Sequence, residues 1–259
     1  MYTDKGPWIN RNQNAKLAKT HTEDMAKKYS TEIKECIKAS KIYGGPDTKP
    51  TNREHNTETT FIFDNIDSVS AAKKHKDGTT AILNFASYKN PGGKFFEGSI
   101  AQEECLCHAS FLYNVLKEMT GYYEYNNQNK NRALYKNRAI YSPNVIFQDG
   151  DDTFTADVIT SAAPNVKAAQ KYCDVEEAEN LAHLHARLEF IRRIAEDNNV
   201  DTLILGAFGC GVFGQDARVV ANSIYEIFKK TSIKKIILAV PGKNQNVNAF
   251  KRVFKTKGE

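Results

Sequence analysis

The 259-residue chain carries 36 lysines and arginines against 31 aspartates and glutamates, a formal net charge of +5, with 41% hydrophobic and 26% charged residues. This is an ordinary globular composition; it excludes a largely disordered chain, and its mild basic excess suits an anionic ligand while direct nucleic-acid binding is not indicated. No apolar run is long enough to cross a bilayer, the first residues lack the apolar core of a signal peptide, and the scattered Cys36, Cys105, Cys107, Cys173 and Cys210 form no disulfide framework, so a cytoplasmic protein without membrane association is expected.

In chain order, residues 12–41 read as helical, because Leu17, Met25, Tyr29, Ile33, Cys36 and Ile37 recur at helical spacings. Gly44, Gly45 and Pro46 end that region, and residues 44–57 read as a polar linker. From residue 59 an α/β rhythm begins: strand 59–63, helix 69–75, strand 80–85 and helix 102–119. Residues 121–142, polar and rich in tyrosine, read as a long loop excursion. Strands at 145–148 and 157–161, a long helix over 175–198, and a strand, helix, strand, helix series at 202–206, 216–230, 234–240 and 245–254 complete the chain. The alternation predicts a mixed or mainly parallel sheet with helices on both faces. Residues 1–57 then form a helical extension with its linker, and residues 58–259 the main domain.

Two loops at the carboxyl ends of strands carry the candidate chemistry, since ligands of open α/β sheets bind there. The first leaves the strand at Asn84 and Phe85, runs through Asn90, Pro91, Gly92 and Gly93, and reaches Gln102, Glu103 and Glu104 at a helix start. Acidic residues suit helix N-termini for structural reasons alone. Adjacent helical residues point about 100° apart, so the two carboxylates reach different atoms of one ligand and serve different roles. One of them could hold its proton near neutral pH through burial or a neighbouring anion. The second loop carries Gly206, Gly209, Gly211 and Gly214 around Cys210, Val212 and Phe213, and can turn backbone amides toward an anion, with the following helix N-terminus adding positive potential. Val212 and Phe213 either pack against a ribose or base or fold back into the core. Cys105, Cys107 and His108 lack a second ligand pair at metal-site spacing and read as small hydrophobes on a helix.

Taken together, the stretch from Asn84 to Leu116, the second glycine loop and the intervening segment from Asp157 to Asn165 resemble, in matching order, the short microbial type of macrodomain poly(ADP-ribose) glycohydrolase. The resemblance runs over roughly residues 59–254. It implies a macrodomain-like three-layer α/β/α sandwich with a mixed sheet plus the N-terminal helical extension, and a cleft for ADP-ribose or poly(ADP-ribose), including polymer on modified proteins. It further implies Glu104 as catalytic acid, Glu103 as holder of the sugar or leaving group, Asn84 at the distal ribose with Gly92 and Gly93 in the loop around it, and Gln102 among the substrate-binding residues. Gly209, Cys210, Gly211, Val212 and Phe213 would contact the diphosphate and adjoining ribose, and Asp67 the adenine. No metal or other cofactor is implied.

The implied reaction is glycoside hydrolysis through an oxocarbenium-like transition state. Neighbouring carboxylates on one helix do not flank a bond from opposite sides, so a single glutamate serves first as acid and then as base. Two positions depart from the family pattern: Lys94 replaces a third loop glycine, and Gln215 replaces an asparagine after the second loop. Lys94 would either obstruct the loop path, leaving an ADP-ribose reader with little turnover, or meet a phosphate. Hydrolysis of mono-ADP-ribose modifications is the remaining alternative.

Overall fold

The computed structural model describes residues 10–44 and 58–256. From residue 45 onward, the expected linker lies outside the described residues. The described residues begin with two helices, α1 (Arg11–Lys28) and α2 (Ser30–Ala39), as the helical region expected over 12–41 requires, followed by strand β1 (Lys41–Tyr43), which ends that region two residues early. Then come β2 (Thr60–Asp64), α3 (Ser68–His75), β3 (Thr80–Phe85), a 3-10 turn (Phe95–Glu97), α4 (Gln102–His108), α5 (Leu112–Leu116), α6 (Thr120–Gln128) and a second 3-10 turn (Asn131–Ala133). The remainder is β4 (Ala139–Asp149), β5 (Asp152–Ser161), α7 (Val166–Cys173), α8 (Glu177–Asp197), β6 (Thr202–Leu205), α9 (Ala217–Phe228), β7 (Lys235–Ala239) and α10 (Gln245–Thr256).

Among the described residues the strands form one mixed sheet in the order β1-β4-β5-β3-β6-β7-β2. The run from β5 to β2 is parallel, and β4 and β1 close one edge antiparallel. Side chains alternate across the sheet as the pleat requires. Ala81, Leu83, Leu203, Leu205, Ile236 and Leu238 join one core with residues of α8, α9 and α10. Ile82, Ile204 and Ile237 join the other with residues of α3, α4 and α5. The result is the three-layer α/β/α arrangement. Ala18, Met25, Tyr29, Ile33 and Cys36 of the two N-terminal helices also belong to that second core.

The helix expected over 102–119 breaks at Ser110. Its hydroxyl donates to the Leu106 carbonyl at 2.7 Å and accepts from the Leu112 amide at 3.1 Å, diverting the backbone ladder into two short helices. The tyrosine-rich excursion is also more ordered than its polarity suggests. Tyr122 and Tyr123 are buried on α6, while Tyr135 and Tyr141 are buried beyond it, the latter on β4. A tyrosine buries its ring while its hydroxyl remains polar, so hydropathy understates such a helix.

Candidate active site

Parallel pairing puts the ends of β3, β5, β6, β7 and β2 at one edge, where the loops after Phe85, Ser161 and Leu205 meet. Asn84 of β3 lies beside Thr160 of β5 in register, both fully buried. The Asn84 amide donates to Thr160 Oγ1 at 3.2 Å and to Glu103 Oε1 at 3.3 Å, while its Oδ1 has no hydrogen-bond partner. Glu103 Oε2 accepts from the Ser87 amide at 2.7 Å, so both oxygens of this carboxylate are engaged. Glu104 is also buried; its Oε1 accepts from the Lys94 amide at 2.9 Å, and its Oε2 has no partner. A buried polar atom without a partner is costly and calls for an explanation.

Burial raises the Glu103 carboxyl to about 8; the Ser87 amide opposes the rise, the Glu104 charge adds to it, and Asn84 opposes it. The ordinary value is 4.5. Between about 4.5 and about 8, therefore, the folded protein keeps a proton that the unfolded chain has lost. Stability from this group is full below that window and is lost as pH rises through it. The wild-type melting temperature is expected to fall between about pH 5 and pH 8, and Glu103→Gln to flatten that slope, a difference of roughly 3 to 4 kcal/mol. Thermal denaturation at both pH values checks this, and parallel slopes for the two proteins would refute it.

The first loop is fitted to these carboxylates. Gly93 has a φ of +63°, and a Cβ there would lie 2.7 Å from Glu104 Oε1 and 3.0 Å from Glu103 Oε2. Gly92 packs over Cys107 and Tyr113. Lys94 has a φ of −110°, so the third position of this loop needs no glycine, and its ammonium stands exposed, 3.6 Å from Glu97. The obstruction of the loop path, one of the two alternatives expected from the sequence, is not what the Lys94 side chain makes: it points outward to Glu97. Gln102 is tied to the scaffold: its Oε1 accepts from the Phe85 amide, and its Nε2 donates to Leu83 O and Ser68 Oγ. It fixes α4 to β3, with its amide group engaged inside the protein. Asp67 caps α3 through the Val69 and Ser70 amides.

In the second loop, Val212 is 82% exposed, while Phe213 packs against the core. The Phe213 ring lies 6.2 Å from that of Tyr135, which stacks at 4.4 Å on Tyr88 of the first loop. Tyr135 thus sits between the two loops. Cys210 directs its thiol toward Phe208 O, and burial pushes that thiol up to about 12, leaving it protonated. Space around Gly211 is open, and among the described residues the Gly211, Val212 and Phe213 amides donate to no backbone carbonyl. The N-terminus of α9 is less available than expected, since Asp216 already accepts from the Arg218 and Val219 amides. Gln215 is buried and exchanges hydrogen bonds with Asn180 of α8, donating as well to Pro164 O at 2.9 Å. This anchors the loop to the helix behind it.

Sequence reasoning passed over Arg187. Its guanidinium is fully buried and donates to the carbonyls of Ala162 and Lys136 and to Asn137 Oδ1, pinning the segment that follows β5. Burial lowers it to about 10, still charged at neutral pH. One arginine among three on a long amphipathic helix gives no signal by itself that it points inward. Arg187→Met is expected to cost about 3 kcal/mol by leaving three acceptors unsatisfied; urea denaturation checks this, and an unchanged midpoint would refute it.

A separate groove of 880 Å³ lies at the opposite edge, lined by Lys38, Lys76, Thr80, Tyr141 and Asp157. Its buried carboxylate is already bonded to the Tyr141 hydroxyl and the Asn144 amide. The two glycine loops face the other edge.

An α/β/α sandwich with a buried carboxylate pair under one strand-end loop and open amides on a second is a ligand-cleft fold equipped for acid–base chemistry. The microbial-type PARG catalytic domain matches residues 13–149, and the chain belongs to that family. The match includes both N-terminal helices from residue 13 and the whole first loop. Among solved structures, poly(ADP-ribose) glycohydrolase from Thermomonospora curvata is 23% identical with a TM-score of 0.83, the alignment covering 94% of this chain and 100% of that one. The same enzyme bound to the inhibitor ADP-HPD aligns at 24% identity and a TM-score of 0.81, over 93% and 99% of the two chains. The Deinococcus radiodurans enzyme in complex with ADP-ribose is 27% identical with a TM-score of 0.78, covering 88% of this chain and 98% of that one. No curated protein matches the sequence.

Proposed function

We propose that this poly(ADP-ribose) glycohydrolase cleaves ribose–ribose O-glycosidic bonds and releases ADP-ribose, with Glu104 as general acid and then general base. The observation that carries the assignment is the inequality of the two carboxylates. Glu103 has both oxygens bound by protein donors, whereas Glu104 keeps Oε2 without a partner. Glu103 is the carboxyl whose proton burial retains, but both its oxygens face protein donors, so the oxygen open to the leaving group is Glu104 Oε2. Glu104 protonates the leaving oxygen as the anomeric C–O bond breaks, and then takes a proton from the water that attacks the oxocarbenium-like carbon. Glu103 and Asn84 hold hydroxyls of the distal ribose; Asn84 Oδ1 is the acceptor without a protein donor. Gly92 and Gly93 let the ribose approach. Within the Gly209–Phe213 loop the amides of Gly211, Val212 and Phe213 receive the diphosphate, the Cys210 amide being taken by Ala207 O, and the Phe213 ring borders the adjoining ribose in a macrodomain-type cleft. Asp67 contacts the adenine at the same edge.

The reader alternative rested on Lys94, and its negative φ and outward ammonium remove that motive. Mono-ADP-ribose hydrolysis would use the same cleft. The discriminating experiment presents labelled polymer and mono-modified protein in parallel: ADP-ribose release from polymer is expected, and release from the mono-modified protein alone would overturn the assignment. Among the described residues no helix is long and apolar enough to cross a membrane. The five free cysteines fit the reducing cytoplasm proposed as the site of action.

A further inference from the structure

We propose that Arg11 and Asn14 of α1 are positioning residues that hold Glu104 through the first loop. The inference rests on the reading of Glu104 as the catalytic acid. Among the described residues the single donor to Glu104 is the Lys94 amide, so the orientation of that peptide sets the orientation of the carboxylate. That Gly93–Lys94 peptide is held through the one that follows it: the Lys94 carbonyl accepts from the amides of Glu97 at 3.0 Å and Ser99 at 3.2 Å, which fixes Lys94 at the start of the 3-10 turn. Helix α1 then pins the turn from outside. Arg11 Nε donates to Glu97 O at 2.9 Å and its guanidinium lies 3.5 Å from the Glu97 carboxylate, while buried Asn14 donates to Gly98 O at 3.4 Å.

The fit at Gly98 shows how close the helix comes. Gly98 has a φ of +74°, and a Cβ on it would sit 1.9 Å from the Arg11 carbonyl oxygen. Only a bare α-carbon lets the backbone of α1 meet the turn at this separation. The connection therefore runs from Arg11 and Asn14 to Glu97 and Gly98, then to the Lys94 peptide and Glu104. Neither N-terminal residue touches the reacting atoms. What they supply is alignment, where an error near 1 Å costs about 100-fold in rate.

The test uses the full-length chain with Arg11→Ala and Asn14→Ala combined, and Arg11→Ala alone as the exposed, structurally mild variant. Three readouts are taken: polymer kcat, ADP-ribose Kd by calorimetry, and hydrogen exchange at the Lys94 amide. The double variant is expected to lose about 10-fold in kcat with Kd changed less than about 2-fold, because the diphosphate loop is untouched. Lys94 exchange should accelerate by about 10-fold or more, while amides of β3 and β6 keep their protection. Arg11→Ala should move the same readouts by a smaller amount. Unchanged Lys94 exchange in a folded double variant overturns the proposal, as does acceleration spread evenly over the whole chain. If wild-type protein released no ADP-ribose, the assignment of activity would fall, while Lys94 exchange would still decide whether α1 braces the loop. If the double variant failed to fold, Arg11→Ala would decide by the same exchange criterion.

Discussion

Replacing Gly93 by alanine is expected to give a folded protein whose turnover has fallen by about 100-fold or more. The added methyl would lie at 2.7 Å and 3.0 Å from oxygens of Glu104 and Glu103, distances that force one or both carboxylates to move. Those side chains lie in a dense cluster with Asn84, Ser87 and Lys94, so they cannot swing aside without breaking the hydrogen bonds that aim them. The left-handed backbone adds a conformational cost on the order of 1 kcal/mol, modest beside the rest of the fold. Steady-state kinetics and a thermal melt together check this. Turnover within about 3-fold of wild type would mean that the loop has slack.

Glu104→Gln is expected to lower kcat by about 10²- to 10⁴-fold, the usual contribution of a general acid–base group, while leaving ADP-ribose affinity within a few fold. Glutamine keeps the shape and can still accept from the Lys94 amide, but it has no proton to give at the leaving oxygen. Glu103→Gln should behave differently. Even protonated, the Glu103 carboxyl can accept at both oxygens, from the Ser87 amide and the Asn84 Nδ2, whereas the NH2 of glutamine can only donate. That mismatch should weaken ribose positioning and raise KM as well as lower kcat. Kinetics paired with calorimetry separate the two, and indistinguishable variants would refute the unequal roles.

The parts of this architecture that the sequence declared were those with a strong local code. The run over 80–85 is β3 residue for residue, because an apolar, β-branched stretch bounded by a turn has few alternatives. The order of the two glycine loops brought the cleft into view, and the chain's place in the family followed. Other features depended on distant partners and carried no local mark. Gln102 looked like a ligand group, yet its amide is taken by β3 and Ser68. The positive end of α9 looked free for an anion, yet Asp216 covers it. Ser110 broke a continuous helical pattern through its own hydroxyl, and α1, read as part of the extension, lies directly against the first loop. Asn84 and Glu103, by contrast, do converge through a hydrogen bond of 3.3 Å, and the Ser87 and Lys94 amides tie Glu103 and Glu104 to the first loop.

The most direct measurement follows labelled poly(ADP-ribose) incubated with wild-type protein and with Glu104→Gln, the products being resolved by size. The account predicts conversion of polymer to ADP-ribose by wild type and essentially intact polymer with the variant. Equal polymer loss in the two samples would contradict it.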